Sequence, residues 1–339
     1  MNQVNVLFIW NVRDELRRYL TEGVNDQPEV NLVIPRDTSE NDLLALAPQA
    51  DIVIGWRPTL EFLLAATRMR LFINPGVGVQ HHLRNFRELN RTREVILING
   101  HGNTYFTAQH AVALLLTLTN KVVTHHNWMK EGLWRRGDDH AKSTPLRHRK
   151  VGLLGYGHVN RNVHRFLSGF DVEFSVCRRS WGQAHETLPT PVTEYTVKQI
   201  DKFLDAIDIL IVAVPQTDET TAMIGEAELA RLGPEGLVVN VGRGDVIEEE
   251  ALFRALKEQT IAGAALDVWY EYKPEPDSQG RGFPFHYPFN ELGNVVLSPH
   301  RAASPMDDLE RWNEVIENIK RFAQGRDDLL NIVDLERGY

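Results

Sequence analysis

Apolar runs of strand length alternate with amphipathic runs of helix length along most of the 339 residues, a rhythm that confines the chain to stacked βαβ units around parallel sheets. Strands are expected at Val4–Trp10, Val30–Ile34, Asp51–Trp56, Arg70–Asn74 and Val95–Asn99, and helices near Val12–Glu22, Ser39–Ala47, Thr59–Ala66 and His81–Asn90. Ser39 and Thr59 stand as N-caps just ahead of a helical period. This first unit ends near Gly102. The rhythm resumes with strands at Val151–Leu154, Val172–Val176, Ile209–Val214, Leu237–Asn240, Gly263–Leu266 and Val295–Ser298. Helices are expected near Val159–Leu167, Lys198–Ala206, Glu226–Leu232 and Glu248–Glu258, and a last amphipathic helix at Asp307–Gln324. Between the two series, Thr104 to Trp128 reads as one long helix. Its stretch Ala111–Leu116 is too apolar for a solvated face, which places it between domains or between subunits. The length by itself suggests about two domains.

A net charge of −9 argues against a nucleic-acid partner, which would need a basic face, although an acidic chain can still hold a local basic pocket for an anion. One cysteine, Cys177, rules out an internal disulfide and fits a reducing cytoplasm. The apolar opening Val4–Trp10 is too short to span a bilayer and charged residues follow from Arg13, so neither a membrane segment nor a targeting segment is expected.

Lys150–Leu154 runs into Gly155-Tyr156-Gly157-His158-Val159-Asn160, a strand, a glycine turn and the start of a helix. Two glycines of the G-x-G-x-x-G dinucleotide fingerprint are present, and Asn160 stands in the third place. Gly155 suits the tight turn, and Gly157 leaves the backbone bare where a pyrophosphate approaches a helix N-terminus. Alone, such a pair also suits a plain turn. About 20 residues on, where an acid would hold a ribose 2′-hydroxyl, the chain has Cys177-Arg178-Arg179 and no acid. Paired guanidinium groups suit a 2′-phosphate, so NADP is expected over NAD. Two further strand ends carry reactive side chains: Arg243 lies between Gly242 and Gly244, and His300 follows Pro299. Ligands of open parallel sheets gather at such ends, and imidazole suits proton transfer near neutral pH.

Taken together, these segments resemble the D-isomer-specific 2-hydroxyacid dehydrogenases. The likeness rests on Gly155-Tyr156-Gly157, Val214-Pro215-Gln216-Thr217-Asp218-Glu219-Thr220, Asn240-Val241-Gly242-Arg243-Gly244, Ala264-Ala265-Leu266-Asp267-Val268 and Ser298-Pro299-His300, with Pro75-Gly76-Val77-Gly78-Val79 similar to the family's carboxylate-binding loop. It implies an α/β fold of two doubly wound parallel-sheet domains with a cleft between them. A Rossmann cofactor domain at 104–298 would be inserted in a flavodoxin-like substrate domain at 1–103 and 299–339. It further implies a hydride transfer between NAD(P) and a small 2-hydroxy or 2-keto acid. Arg243 would grip the substrate carboxylate and polarise the keto oxygen, and His300 would act as acid or base on that oxygen. Asp267 would bind the nicotinamide carboxamide, and the backbone amides of Val77 and Gly78 would help to hold the carboxylate. Tyr156, His158, Val159, Val214, Pro215, Val241 and Gly242 fall in the segments that line the cofactor, with Arg178 and Arg179 at its phosphate. The partners implied are a small-molecule substrate and, from the apolar Ala111–Leu118 stretch, a second copy in a homodimer.

Two departures stand out. The family's Glu, which hydrogen-bonds the catalytic His, falls at Tyr272; Glu271 is one residue early and Glu275 three late. Either a neighbouring Glu, Glu271 first, substitutes by a backbone shift, or His300 works with a different partner and a lowered pKa. Formate dehydrogenases of the same superfamily have Gln there, so a formate- or phosphite-like oxidation is a second reading, and a catalytically silent dinucleotide-binding scaffold or corepressor a third. Asn160 should push its helix outward or turn toward the phosphates. No metal is expected: His81-His82 and His125-His126 read as surface pairs, because helix neighbours diverge and no ligand cluster joins them. Cys177 reads as packing. Phe283, Phe285, Tyr287 and Phe289 would cover a substrate pocket, a partner subunit or the core.

Overall fold

A computed structural model describes residues 3–134, 142–182, 187–303 and 307–339. The chain forms two compact units, one of residues 1–103 with 305–339 and the other of 104–304.

In the first unit, five parallel strands, β1 (Val4–Phe8), β2 (Val30–Val33), β3 (Ile52–Ile54), β4 (Leu71–Asn74) and β5 (Ile96–Asn99), lie in the order β2-β1-β3-β4-β5. This is the flavodoxin-like order. Period-two alternation sends Val6, Phe8, Ile52, Ile54, Leu71 and Ile73 to one face, under the C-terminal helix Asn313–Ala323. The helices of this unit begin with α1 (Asp14–Gly23) and α2 (Glu40–Leu46), and Leu7, Val53, Phe72 and Leu97 go to the other face, under α3 (Leu60–Ala65) and α4 (Gln80–Leu89). Both faces are covered, which is why the strands read as continuous apolar runs. The caps foreseen at Ser39 and Thr59 are made, to the N–H groups of Asp42 and Phe62. The last helix begins at Asn313, after a 3-10 turn at Glu310–Trp312, rather than at Asp307.

The second unit holds seven parallel strands, β6 (Lys150–Leu154), β7 (Glu173–Arg178), β8 (Val192–Thr196), β9 (Ile209–Val212), β10 (Leu237–Asn240), β11 (Gly263–Leu266) and β12 (Val295–Leu297), in the order β12-β11-β10-β9-β6-β7-β8. Counted from β6, this is the Rossmann order extended by one strand, and its switch point lies between β6 and β9. Strand β8 has no counterpart among the expected strands. It is an edge strand of half-exposed and exposed residues, so it lacks the apolar run that marks the others.

The helix expected at Thr104–Trp128 is two, α5 (Thr104–Thr119) and α6 (Val122–Lys130), because Lys121 between them is left-handed at φ 50°. Ala108, Ala111, Leu114 and Leu115 of α5 are buried in the core of the second unit itself, against α7 (His158–Leu167) and strands β10 to β12. The apolar stretch therefore covers its own sheet. No helix among the described residues is long and apolar enough to cross a membrane.

Candidate active site

The chemistry in the second unit gathers at the C-terminal ends of its strands. Beyond β6, Gly155 takes φ +80°, and a Cβ there would lie 2.7 Å from Val214 and 3.0 Å from the Ala213 carbonyl oxygen. Only glycine fits both the conformation and the space. Val214 and Pro215 follow β9, and the Val214 carbonyl oxygen would lie 3.0 Å from a Cβ on Gly242. The turns after β6, β9 and β10, the last carrying Val241 and Gly242, are thus packed backbone to backbone. Gly157 is the N-cap of α7 and makes no side-chain cap bond. Nothing lies within 4 Å of a Cβ built on Gly157, so the surface over the first turn of α7, with His158 and Val159, is open. A bare helix N-terminus of this kind fits a pyrophosphate.

The Asn160 side chain turns to the strands and not toward the phosphates. Its amide nitrogen donates inward to the carbonyls of Leu154, Gly155 and Ile211, at 3.1, 2.7 and 3.4 Å, tying α7 to β6 and β9. Its Oδ1 is buried without a hydrogen-bond partner among the described residues. Tyr156 turns into the unit, its hydroxyl 2.6 Å from His164 Nδ1, while His164 Nε2 reaches Thr190 Oγ1 at 2.8 Å. Burial lowers the His164 pKa to about 4, so the imidazole is neutral. At the end of β7 the Arg178 guanidinium lies over the Trp181 ring at 5.1 Å, and Trp181 is anchored by its indole N–H to the Tyr195 carbonyl at 2.9 Å. Arg179 is exposed.

Asn240 shapes the next turn: its side chain accepts from Gly242 N–H at 3.0 Å and donates to the Arg243 carbonyl at 2.9 Å. Arg243 Nη1 folds back onto the Gly242 carbonyl at 2.6 Å. Loss of water lowers the Arg243 pKa, a cost an anionic ligand would relieve.

His300 sits in a left-handed conformation, φ 55°, which a non-glycine side chain adopts only when its surroundings hold it there. The holder is Asp267, fully buried at the end of β11. Its Oδ1 accepts from Arg301 N–H at 2.7 Å and Ser298 Oγ at 2.5 Å, and its Oδ2 accepts from Ala302 N–H at 2.8 Å. Ser298 Oγ lies 2.9 Å from His110 Nε2 on α5. Since the serine gives its proton to the carboxylate, His110 Nε2 must carry the hydrogen and donate. Burial alone would raise the Asp267 pKa, but hydrogen bonds from His110, Ser298, Arg301 and Ala302 outweigh it and the net shift is downward. Trp269 completes the brace, its indole N–H donating to the Ser298 carbonyl at 2.8 Å. Behind Trp269, Phe285 packs at 5.1 Å and Phe289 at 6.1 Å, so these aromatics of the long loop serve the core.

His300 stays accessible to solvent, yet its neighbours remove enough water to lower its pKa. The Arg243 charge lowers it further and Asp267 opposes both, with a net fall below the usual imidazole value. Glu271 does not reach it: the Glu271 carboxylate accepts from Lys273 N–H at 2.5 Å within its own turn. Tyr272 stands beside His300 instead, ring centroids 5.4 Å apart and edge to face.

In the first unit, the loop after β4 is pinned by its carbonyls. Asn74 Nδ2 donates to the carbonyls of Gly76 and Gly78, Asn99 Nδ2 to that of Val77 at 3.0 Å, and Gly100 N–H to that of Gly76 at 3.3 Å. In a trans peptide the N–H points opposite to the carbonyl that precedes it, so the amides of Val77 and Gly78 face away from these donors. Such a run of amides suits an anion. Asn74 is set by His82, whose Nε2 lies 3.3 Å from Asn74 Oδ1. His82 is therefore not the surface residue expected: it is 2% exposed, and burial, His81 and Arg57 bring its pKa to about 3. Near the same loop, Trp10, Trp56 and Trp312 form an aromatic cluster, Trp10 stacked on Trp312 at 5.6 Å and meeting Trp56 edge-on at 4.8 Å. Sequence reasoning passed over that cluster, along with Trp269 and His110. Each trio or brace joins positions far apart in the chain, and no local pattern signals it.

Cys177 is fully buried with its thiol pKa pushed up to about 12 by burial, consistent with packing. Among the described residues no group of three or more His, Cys, Asp or Glu is placed to hold a metal ion.

Residues 112–302 match the model of the D-isomer specific 2-hydroxyacid dehydrogenase, NAD binding domain. A glyoxylate reductase of Pyrococcus furiosus is 33% identical over 274 residues, 77% of this chain and 74% of that protein. A D-3-phosphoglycerate dehydrogenase of Archaeoglobus fulgidus is 28% identical over 295 residues, 85% of this chain, which spans only about half, 52%, of that protein's length. Among solved structures, a D-isomer specific 2-hydroxyacid dehydrogenase from Xanthobacter autotrophicus Py2, in complex with NADPH and MES, superposes with a TM-score of 0.77 at 23% identity, covering 99% of this chain and 100% of that one. At that identity the superposition speaks to the fold.

Proposed function

Since the chain belongs to the D-isomer-specific 2-hydroxyacid dehydrogenase family, whose members are NAD(P)-dependent oxidoreductases, we propose that it interconverts a small 2-oxo acid and its D-2-hydroxy acid. The observation that carries this reading is the joint placement of Arg243 and His300 beyond the C-terminal ends of β10 and β12, on either side of β11, close enough for the charge of one to act on the pKa of the other. Glyoxylate, the substrate named for the Pyrococcus furiosus relative, is the first compound to try.

Arg243 binds the substrate carboxylate and draws electron density toward the carbonyl oxygen, using a charge that is fixed and partly stripped of water before substrate arrives. In the first unit, the outward amides of Val77 and Gly78 suit a carboxylate. In the reducing direction His300, as imidazolium, gives its proton to the oxygen as negative charge develops there. In the oxidising direction neutral His300 removes that proton. The hydride is the chemistry contributed by a bound nicotinamide dinucleotide. Its pyrophosphate is assigned to Gly155, Tyr156, Gly157 and the N–H groups of His158 and Val159. Val214, Pro215, Val241 and Gly242 line its path. Oδ2 of Asp267 accepts from Ala302 N–H and has capacity for another donor, assigned to the carboxamide.

NADP is preferred in this reading, because Arg178 ends β7 and Arg179 follows it, where an acid would favour NAD. Titration by nucleotide fluorescence should give tighter binding of NADPH than of NADH. Arg178→Asp should cut the ratio by about 10- to 100-fold, the worth of one charge-assisted hydrogen bond. Equal affinities in the wild type would sink the preference. The second copy is proposed as well: light scattering at twice the chain mass supports a homodimer, and the mass of a single chain refutes it.

A further inference from the structure

We propose that Tyr272 is the positioning residue for His300 in this chain, setting the imidazole by contact with an uncharged aromatic ring in the place where the family has a carboxylate. The inference rests on the reading of His300 as the acid–base group. Three observations support it. First, the rings meet edge to face with centroids 5.4 Å apart, a favoured aromatic geometry. Second, the phenol is fixed at its far end, where Trp269 N–H donates to its oxygen at 3.4 Å. The same Trp269 holds the Ser298 carbonyl by its indole, so one buried residue sets both the ring and the turn that carries His300. Third, the carboxylate beside Tyr272 in sequence, Glu271, is taken up by Lys273 N–H.

Among the described residues, the charged and titratable groups facing His300 are then Arg243 from the turn after β10, Asp267 from the end of β11 and Tyr272 from the long loop, with His110 of α5 behind Asp267. Arg301, next in the chain, is exposed. Tyr272 is 56% exposed at its edge, and the water that its neighbours displace from the phenol raises its pKa, so it is a neutral phenol at physiological pH. It therefore orients the imidazole without stabilising the imidazolium. A carboxylate at this position would do both. The consequence is a site whose protonated form, the one needed for reduction, persists only at lower pH, while the neutral base needed for oxidation is present over a wider range.

The test is the titration of the His300 imidazole by NMR in the full-length chain, assigned with His300→Gln, alongside the pH profile of kcat/KM. Tyr272→Glu should move the His300 midpoint upward, enough to raise the protonated fraction about ten-fold at a pH above it, and carry the kinetic limb with it. Tyr272→Phe, which keeps the ring, should leave the midpoint in place. Tyr272→Ala should lower kcat about ten-fold with NADPH affinity kept. An unmoved midpoint in Tyr272→Glu, or wild-type kcat in Tyr272→Ala, would overturn the assignment. Because the NMR titration needs no turnover, it reads Tyr272 even if no 2-oxo acid is reduced. Turnover with an unmoved midpoint would strike this inference alone.

Discussion

His300→Ala is expected to lower kcat by about 10²- to 10⁴-fold in both directions, the usual worth of a positioned general acid or base. Affinity for NADPH should be unchanged, since no residue assigned to the dinucleotide touches the imidazole except through the Asp267 turn. The pH dependence should change with it. In the wild type, reduction fades as pH rises through the lowered His300 pKa and oxidation fades as pH falls through it. In the variant both limbs attributable to His300 should be gone. Stopped-flow kinetics over a pH series would show this, and a variant with wild-type turnover would remove His300 from the proton transfer. The same experiment separates an enzyme from a silent scaffold, which has no turnover to lose.

Removing the Asp267 carboxylate should produce the largest loss of stability. Asp267→Ala strands the N–H groups of Arg301 and Ala302 and the hydroxyl of Ser298 in a buried place, and takes the buried anchor from the turn that carries a left-handed residue. Unfolding in denaturant should reveal a cost of about 3–5 kcal/mol. A loss under about 1 kcal/mol would mean the turn is held by something else. Because the folded pKa of Asp267 lies below the ordinary aspartate value, its contribution is present above that ordinary value and is lost as pH falls through the lowered one. Asp267→Asn should abolish that part of the acid dependence. Activity should fall with the turn, since His300 follows Ser298 by two residues and precedes Arg301 by one.

Periodicity alone makes the two parallel sheets legible in the sequence. Strands such as Ile209–Val212 and Leu237–Asn240 are buried along their whole length, so their apolar runs stand out from the helices between them. The same logic hides β8, whose Thr193 and Glu194 face solvent at the sheet edge. It also hides the break at Lys121, because a single left-handed residue between two helical runs leaves the periodicity on each side intact. At the site, residues that end strands were readable: Gly155, Arg178, Arg243, Asp267 and His300 are each fixed by the strand before them. What holds them was not. His110 and Ser298 are 188 positions apart, and nothing local marks one as the partner of the other. For Asn160 the fingerprint spacing does not tell which way the side chain turns, and the amide places its donors on strand carbonyls. In the His81-His82 pair the two imidazoles look alike in sequence, but α4 turns only the second into the core. For Glu271 and Tyr272 a one-residue difference in register decides which side chain meets His300, and periodicity is too coarse to fix that in a loop.

Hydride transfer itself is read most directly by incubating the chain with NADPH deuterated on the transferable position and a small 2-oxo acid, then locating the label by mass spectrometry and NMR. Deuterium at C2 of a D-configured 2-hydroxy acid, lost in His300→Ala, is the expected result. Product without label at C2, or no product from any 2-oxo acid while NADPH still binds, would contradict it.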